Sequence, residues 1–489
     1  VAWSWFAPAV VVRASATHPA DNGIAATTPA IPVASNMCDE ASAVASVQAS
    51  APVPGDAVGR QRLAGWLREH VAAGSRVEDP TDGPLAVVHA VAPGETALTI
   101  AQAHLDLTDV YRAKDLAVAI AKENPDLHAG AEARIPHLLA APSRSPEEDR
   151  MVWPADRALK GIYLTSGTAG ASWPEMVERV HAHGMNAIVL DAKEYAGGVT
   201  YPTHVRLALA SGAGRGAPIR DFPRAIRFAH ERGVAVIARI TCFHDPWLAA
   251  YAPRLSVRST SGDPLPIGWV DPASSDVQDY LIDLVKEVVD LGADEVQLDY
   301  VRFPVQDAGD AALLPADGHR TKAITAFVAR VHEFTSARHV PLSLDVFGIA
   351  ASAPRSDVEA LGQNVVLLGP VAEAISPMVY PSHYPVGFLG LERPGDHPEL
   401  VGFGTKAAVT KLKDAQVGET IVRPWLQAAA FRTTEFGPRY VQDEIRSAEA
   451  SGATGWLMWD AGNSYWAVWR ALPVVDSGGA GRPEVTASR

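Results

Sequence analysis

The chain has 489 residues, enough for two to four domains and a core of barrel size. Its 42 basic against 56 acidic residues give a formal charge of −14. That balance argues against nucleic acid, whose binders carry basic faces, and supplies no polybasic patch for anionic lipid. The two cysteines, Cys38 and Cys242, lie too far apart in the chain to make a disulfide scaffold or a metal site.

Residues 1–58 divide into an apolar start and a low-complexity tether. VAWSWFAPAVVV has about the length of a signal core, and RASA follows with small residues suited to cleavage, although no basic stretch precedes it. The expected location is extracytoplasmic: secreted, periplasmic or associated with the cell wall. No stretch reaches the ~20 uninterrupted apolar residues of a membrane span. The tether, rich in Ala, Pro, Ser, Thr and Val, cannot bury enough surface to offset its ordering entropy. Residues 59–83 read as a short helix and a linker, with Leu63, Trp66, Leu67 and Val71 at helical spacing and Gly74 as its stop.

Residues 84–140 form a compact unit. LAVVHAV reads as a strand, APGET as a turn, LTIAQAHL as a helix begun by Thr96, and DLAVAIAKENPDL as a second helix stopped at Asn124-Pro125. HAGAEARIPHL turns at Gly130 and gives a last strand. This strand, helix, helix, strand order, with His89-Ala90-Val91, Pro93-Gly94-Glu95-Thr96, Ile100-Ala101, Asn124-Pro125, and Gly130 before Arg134-Ile135-Pro136, resembles a LysM module. The resemblance implies binding of N-acetylglucosamine-containing wall glycan in a shallow groove. On the matching positions that groove takes Gly94, Glu95, Thr96, Asn124, Pro125 and Asp126. The long TDVYRAK connection between the helices departs from the family pattern.

Residues 141–158 are a linker. From 159 to 472 strands and helices alternate, and 473–489 is a flexible tail. Strands are predicted at 160–165, 186–191, 234–240, 295–299, 341–345, 374–380, 421–427 and 454–460. Helices are predicted between them at 173–183, 222–232, 276–291, 321–337, 356–364, 397–413 and 439–451. This is the element count of an α/β protein of the (β/α)8 TIM-barrel type; the alternative is a doubly wound open sheet. No dinucleotide fingerprint follows the first strand, where SGTAGAS lacks the spacing, so no nucleotide cofactor is expected. The histidines, His244 and His383 included, show no zinc-ligand spacing, and no G-x-S-x-G turn occurs. A metal-dependent sugar deacetylase is therefore disfavoured, and no metal site is assigned.

A barrel builds its site from the carboxyl ends of its strands. Those tips carry Thr165, Asp191 with Lys193 and Glu194, Arg239, Asp299 with Tyr300 and Arg302, Asp345, Tyr380 with His383, Gln427, and Asp460. Four of the tips are aspartates, Asp191, Asp299, Asp345 and Asp460, which suits glycosidic cleavage, in which one carboxyl protonates the leaving oxygen and the other attacks or activates water. Asp299 and Asp345 end consecutive strands, ~4.8 Å apart, so both can face one sugar. Asp299 is the expected nucleophile, kept ionised by Arg302 or Lys193. Asp345, beside Val346 and Phe347, is the expected acid, with Asp460 and Asp191 as rivals. The long segment after the third strand carries Trp247, Tyr251 and Trp269, and the last strand carries Trp459; aromatic faces of this kind stack on sugar rings.

KGIYLTSGTAG, NAIVLDAKEYAGGVTYP, VIARITCFHDPWLA, GWVDP, DEVQLDYVRFP and MVYPSHY resemble a bacterial family of glycosyl hydrolase-type barrels first catalogued as a domain of unknown function. The family looks distantly related to the α-amylase-type barrels. The resemblance implies a TIM barrel acting on a glycan, with the nucleophile at the tip of the fourth strand, Asp299, and the acid on the fifth, Asp345. Two departures stand out: the acid is Asp where those barrels use Glu, and Gln297 occupies the place of an arginine two residues before the nucleophile. The expected protein is an exported glycoside hydrolase that cleaves a polysaccharide and is held on wall glycan by its LysM-like module. A non-catalytic glycan-binding or wall-scaffold barrel is the alternative.

Overall fold

The computed structural model describes residues 57–304, 319–352 and 355–474. The predicted signal and tether, and nearly all of the predicted tail, lie outside the described residues. The described residues divide into two compact units, one holding 57–108 and Ala113–Ser143, the other Asp109–Arg112 and the described residues from Arg144 onward.

The smaller unit begins with helix α1 (Ala57–His70), whose Leu63, Ala64 and Leu67 are buried. Strands β1 (Ser75–Glu78), β2 (Ala86–Ala90) and β3 (Glu132–Ile135) form an antiparallel sheet with β2 in the centre. Helices α2 (Ala97–His104) and α3 (Ala113–Glu123) connect β2 to β3. Thr96 caps α2, its hydroxyl accepting from the Thr99 N–H at 3.2 Å. Gly94 sits at φ 87°, a left-handed turn position that favours glycine. Strand β1 falls in the stretch predicted as linker. SRVE is short and polar, and it pairs along one edge only, so it lacks a period-2 apolar signal.

The larger unit is a closed parallel barrel. Its strands are β4 (Lys160–Leu164), β5 (Ala187–Lys193), β6 (Ala235–Thr241), β7 (Glu295–Asp299), β8 (Leu342–Phe347), β9 (Ala374–Met378), β10 (Ile421–Val422), β11 (Trp425–Gln427) and β12 (Trp456–Trp459). They pair in sequence from β4 to β9, β11 joins β9 to β12, and β12 pairs with β4, which closes the ring and excludes the open sheet. The predicted seventh strand is two short pieces, β10 and β11, because Pro424 has no N–H for the ladder between them. Helices Ser166–Ala182, Phe222–His230, Ser275–Asp290, His319–Ala337, Leu400–Asp414 and Pro438–Ala450 surround it. Their apolar faces and the outward strand residues, such as Ile188, Leu190, Val236, Val296, Leu298 and Leu344, make the main core. The lumen holds a second cluster that includes Tyr163, Val189, Ile237, Trp425 and Leu457.

The amino-terminal end of the lumen is closed by a buried ion pair. Glu295 accepts from Arg423 through both oxygens, from Ser343, and from the Trp153 indole at 2.9 Å. Glu295 and Arg423 have no exposed side-chain surface, and the guanidinium lies 5.4 Å from the Trp153 ring. A charge buried without its partner is costly. Arg423→Met is expected to lower unfolding stability by about 3–5 kcal/mol. Glu295→Leu combined with Arg423→Met should recover part of that loss. Denaturant unfolding of the full chain measures both, and a single variant within about 1 kcal/mol of wild type would remove the ion pair from the structural argument.

Candidate active site at the strand tips

Four adjacent strands bring their tips to one guanidinium. The register pairs Asp191 with Arg239, Arg239 with Gln297, Thr241 with Asp299, and Asp345 with Ser376. Side chains at every second position face the lumen. Arg239 on β6 thus reaches carboxylates on β5, β7 and β8.

Asp299 Oδ2 accepts from Arg239 Nη2 at 2.5 Å and Nε at 3.2 Å. Its Oδ1 accepts from the Tyr300 N–H at 2.6 Å. Tyr300 itself is at φ 51°, a left-handed conformation that costs a non-glycine residue about 1–3 kcal/mol. Asp191 accepts from Arg239 Nη1 and, at 2.5 Å, from the Tyr163 hydroxyl; burial pushes its carboxyl above the usual range. The Tyr163 ring also lies 5.4 Å from the Arg239 guanidinium.

Asp345 differs from the other two. It is 1 % exposed, its Oδ1 accepts from the Trp425 indole at 2.6 Å, and its Oδ2 has no hydrogen-bond partner among the described residues. Arg239 Nε stands 3.8 Å from that oxygen. Burial, with the charge of Asp299 added, holds the Asp345 carboxyl well above the usual range. Both Oδ2 atoms flank the same Nε, at 3.2 and 3.8 Å, which bounds their separation at about 7 Å. Retaining glycosidases space their carboxyls at about 5–5.5 Å, inside this bound.

Around the carboxyls, the Tyr380 ring lies 5.1 Å from His383 and 5.3 Å from Trp459. Burial, then the charges of Asp345 and Asp299, raise the Tyr380 phenol well above its usual range, so it remains a hydroxyl donor. Burial lowers the His383 imidazole to about 4. Trp247 is 43 % exposed.

Other predicted site residues are placed elsewhere. A bulge after Asp191 redirects Lys193, whose ammonium donates to the Thr241 carbonyl at 2.7 Å and pairs with Asp245 at 3.1 Å. Arg302 stacks over Phe347 at 4.3 Å and Trp269 at 4.7 Å. The cation expected from Lys193 or Arg302 at Asp299 is instead Arg239. Trp269 is fully buried against His244 and Tyr300, so it is a packing residue and not a sugar platform. Gln427 Nε2 donates to the Ala429 and Phe431 carbonyls while its Oε1 accepts from the Ser382 N–H. Asp460 accepts from the Gly462 and Ser464 N–H groups at 3.0 and 2.7 Å, which ties both oxygens to its own turn and weakens it as a rival acid.

Two contacts were not anticipated from sequence, Tyr163 to Asp191 and Trp425 to Asp345. Counting back two residues from the tips Thr165 and Gln427 would have found both. Among the described residues no group of three or more His, Cys, Asp or Glu side chains is arranged to hold a metal ion. No helix among them is long and apolar enough to cross a membrane.

In the smaller unit, Glu95 accepts from the Ala92 N–H and contacts His89, Thr96 caps α2, and Asn124 exchanges hydrogen bonds with the backbone of Arg134. Gly94, Pro125 and Asp126 are exposed.

A search of curated proteins gives no match. Among solved structures the chain is similar to a hypothetical protein from Ruminiclostridium thermocellum, with 30 % identity over 38 % of this chain and 97 % of that one, TM-score 0.32. It is also similar to the PgaB (BpsB) glycoside hydrolase domain from Bordetella bronchiseptica, with 14 % identity over 65 % and 99 %, TM-score 0.45. A third is the spore cortex-lytic enzyme SleL from Bacillus megaterium, with 12 % identity over 80 % and 87 %, TM-score 0.39. Residues 161–465 match one family model, and the chain belongs to the family described as "putative glycosyl hydrolase domain".

Proposed function

We propose that the barrel is a glycoside hydrolase that cleaves a polysaccharide outside the cytoplasm. In this reading the smaller unit binds N-acetylglucosamine-containing wall glycan and raises the local concentration of substrate. The observation that carries the hydrolase reading is the asymmetry of two carboxyls sharing one guanidinium. Asp299 is doubly engaged by Arg239 and serves as the charged member. Asp345 is held protonated by burial and by the Asp299 charge, with one oxygen left without a partner. Neighbouring carboxyls driven apart in this way divide acid and nucleophile work.

Asp345 would give its proton to the glycosidic oxygen as the bond to the anomeric carbon breaks. Asp299 would attack that carbon, and water assisted by the Asp345 carboxylate would then release the sugar. Trp425 fixes the orientation of Asp345 through its indole N–H. Trp247 and Trp459 keep exposed surface that can meet sugar C–H faces.

One observation favours the non-catalytic alternative: Asp299 and Asp345 are only 5 % and 1 % exposed, and Arg239 engages both. Incubation with bacterial exopolysaccharides and peptidoglycan, read by new reducing ends, separates the two. Turnover with a bell-shaped pH profile is expected, and Asp299→Asn or Asp345→Asn should lower kcat by at least about a thousandfold while glycan binding persists. Binding without reducing ends on any substrate would favour the scaffold.

Asp345 also makes a stability prediction. An acid whose folded value is raised stabilises the fold fully below its unfolded value and loses that contribution as pH rises toward the folded value. The ionisable carboxyl is therefore a burden near neutrality. Asp345→Asn, which keeps an oxygen for Trp425, should stabilise the protein by on the order of 1–3 kcal/mol near neutral pH, with the gain shrinking as pH falls toward about 4. Equal denaturation midpoints for the two proteins across that range would contradict a buried, neutral Asp345.

A further inference from the structure

The short helix Pro246–Tyr251 follows β6 and carries two large rings, Trp247 and Tyr251, spaced i, i+4 and so on one face. They are 43 % and 55 % exposed, while Leu248 and Ala249 between them are buried. A single exposed aromatic residue is ordinary on a protein surface. The way Trp247 is held is not.

Two glycines with left-handed backbones brace the indole. Gly197 is at φ 87°, and a Cβ there would lie 3.3 Å from Trp247 Cδ1. Gly212 is at φ 85°, and a Cβ there would lie 3.2 Å from Cζ3 and 3.5 Å from Cε3. One glycine thus meets the five-membered ring and the other the six-membered ring. A larger residue at either position would strain its own backbone and press on the indole.

The base of the ring is fixed as firmly. Asp245 caps the helix, its Oδ1 accepting from the Leu248 N–H at 2.8 Å, and its own N–H donates to the Gly268 carbonyl at 2.8 Å. Its Oδ2 pairs with the Lys193 ammonium at 3.1 Å, and both side chains are at most 1 % exposed. Moving the helix would separate two buried charges, which is costly. A Cβ at Gly197 would also come within 2.5 Å of Asp245 Oδ1, so one glycine serves both the cap and the ring. Lys193, turned away from the carboxyls by its bulge, anchors the helix that bears Trp247.

The braced ring belongs to the carboxyl end of the barrel. Cys242 and Phe243 donate their N–H groups to the carbonyls of Asp299 and Tyr300, at 2.8 and 3.3 Å. Trp247 comes four residues after Phe243, so the two Cα atoms are within about 14 Å of each other. The turn Glu194–Gly198 touches both places. Its Tyr195 packs on Tyr300 at 4.8 Å and on His244 at 3.8 Å, and its Gly197 meets Trp247. The rings are thus joined to the candidate site through one short turn.

We propose that Trp247 and Tyr251 form a carbohydrate-binding strip on the rim of the barrel, which takes sugar units of the polysaccharide beyond the bond that is cut. A ring fixed in advance loses little freedom when a ligand settles on it, so less affinity is lost to ordering the side chain. Two rings along one helix face suit an extended chain of sugars, each presenting an apolar C–H face. The strip makes the protein favour long glycans over short fragments. Its place in cleavage rests on the hydrolase reading; its affinity for glycan does not.

Soluble glycan strands of peptidoglycan, sorted by length, and the exopolysaccharides named above test the strip on the full chain. In gels holding long strands, Trp247→Ala should weaken retention about tenfold and Tyr251→Ala about threefold, and Trp247→Phe should recover most of the first loss. Gly212→Ala, which displaces the indole without removing it, should give part of the same loss. Retention by the smaller unit is common to all these proteins, so the comparison reads the barrel. On any substrate that is cut, the ratio of kcat/KM for long strands to that for short fragments should fall about tenfold in Trp247→Ala, whereas a merely structural role would lower both together. Unchanged long-strand retention in Trp247→Ala, an unchanged ratio, or a wild-type chain that no glycan retains would overturn the strip. A wild-type dimer that Trp247→Ala dissociates, with retention unaltered, would assign the rings to a second copy of the chain instead. If no polysaccharide is cut, the hydrolase reading fails and retention alone decides: a loss in Trp247→Ala keeps the strip, and no loss removes it.

Discussion

The guanidinium of Arg239 balances three carboxylates that arrive on three different strands, and the geometry of the strand tips follows from that shortage of positive charge. One cation cannot neutralise Asp191, Asp299 and Asp345 together in a buried setting. Asp191 and Asp299 take the hydrogen-bonding edges of the fork, while Asp345 is left 3.8 Å from Nε with an indole for company. Inequality between chemically identical side chains is thereby built into the barrel by register alone, since Arg239 pairs with Gln297 across the β6–β7 ladder. Gln297, two residues before Asp299, carries no charge, and the cation at Asp299 comes from the neighbouring strand.

The lumen is organised by depth. Its amino-terminal end is sealed by the Glu295–Arg423 pair, in which both carboxylate oxygens and both terminal guanidinium nitrogens are paired and Trp153 donates its indole N–H to Glu295. Its carboxyl-terminal end gathers the three aspartates. Apolar side chains such as Val189, Ile237 and Leu457 lie in the same lumen cluster. A closed structural ion pair at one end and an under-neutralised set at the other is the arrangement expected when one end of a barrel supports stability and the other chemistry.

Much of this was legible in the sequence because strands buried on both faces read as unbroken apolar runs, and seven of the eight predicted barrel strands appear as single strands within a few residues of their expected ends. The polar tips were legible for the same reason, as sudden breaks in those runs. What a tip residue does was less legible. Asp460 and Gln427 look like Asp299 in the sequence, yet their polar atoms are taken by backbone groups of their own and neighbouring loops. Lys193 is turned aside by a bulge, and Trp269 by the packing of the long segment around it. Such outcomes depend on which backbone N–H or carbonyl lies within 3 Å, a quantity that residue type does not encode. Strand β1 escaped notice because an edge strand of four residues need not alternate.

Tyr300 joins these levels. Its left-handed backbone turns the N–H back onto the carboxylate that precedes it, so the environment of Asp299 is partly main chain. Neighbouring rings, Tyr195 at 4.8 Å and Trp269 at 5.9 Å, hold the side chain and so hold the twist. Substitution at position 300 therefore edits two properties at once: a residue comfortable with positive φ would ease the backbone yet loosen the aromatic cluster, and a β-branched one would straighten the chain and withdraw a donor from Asp299. Sequence drift at this position is confined by conformation before any question of sugar contact arises.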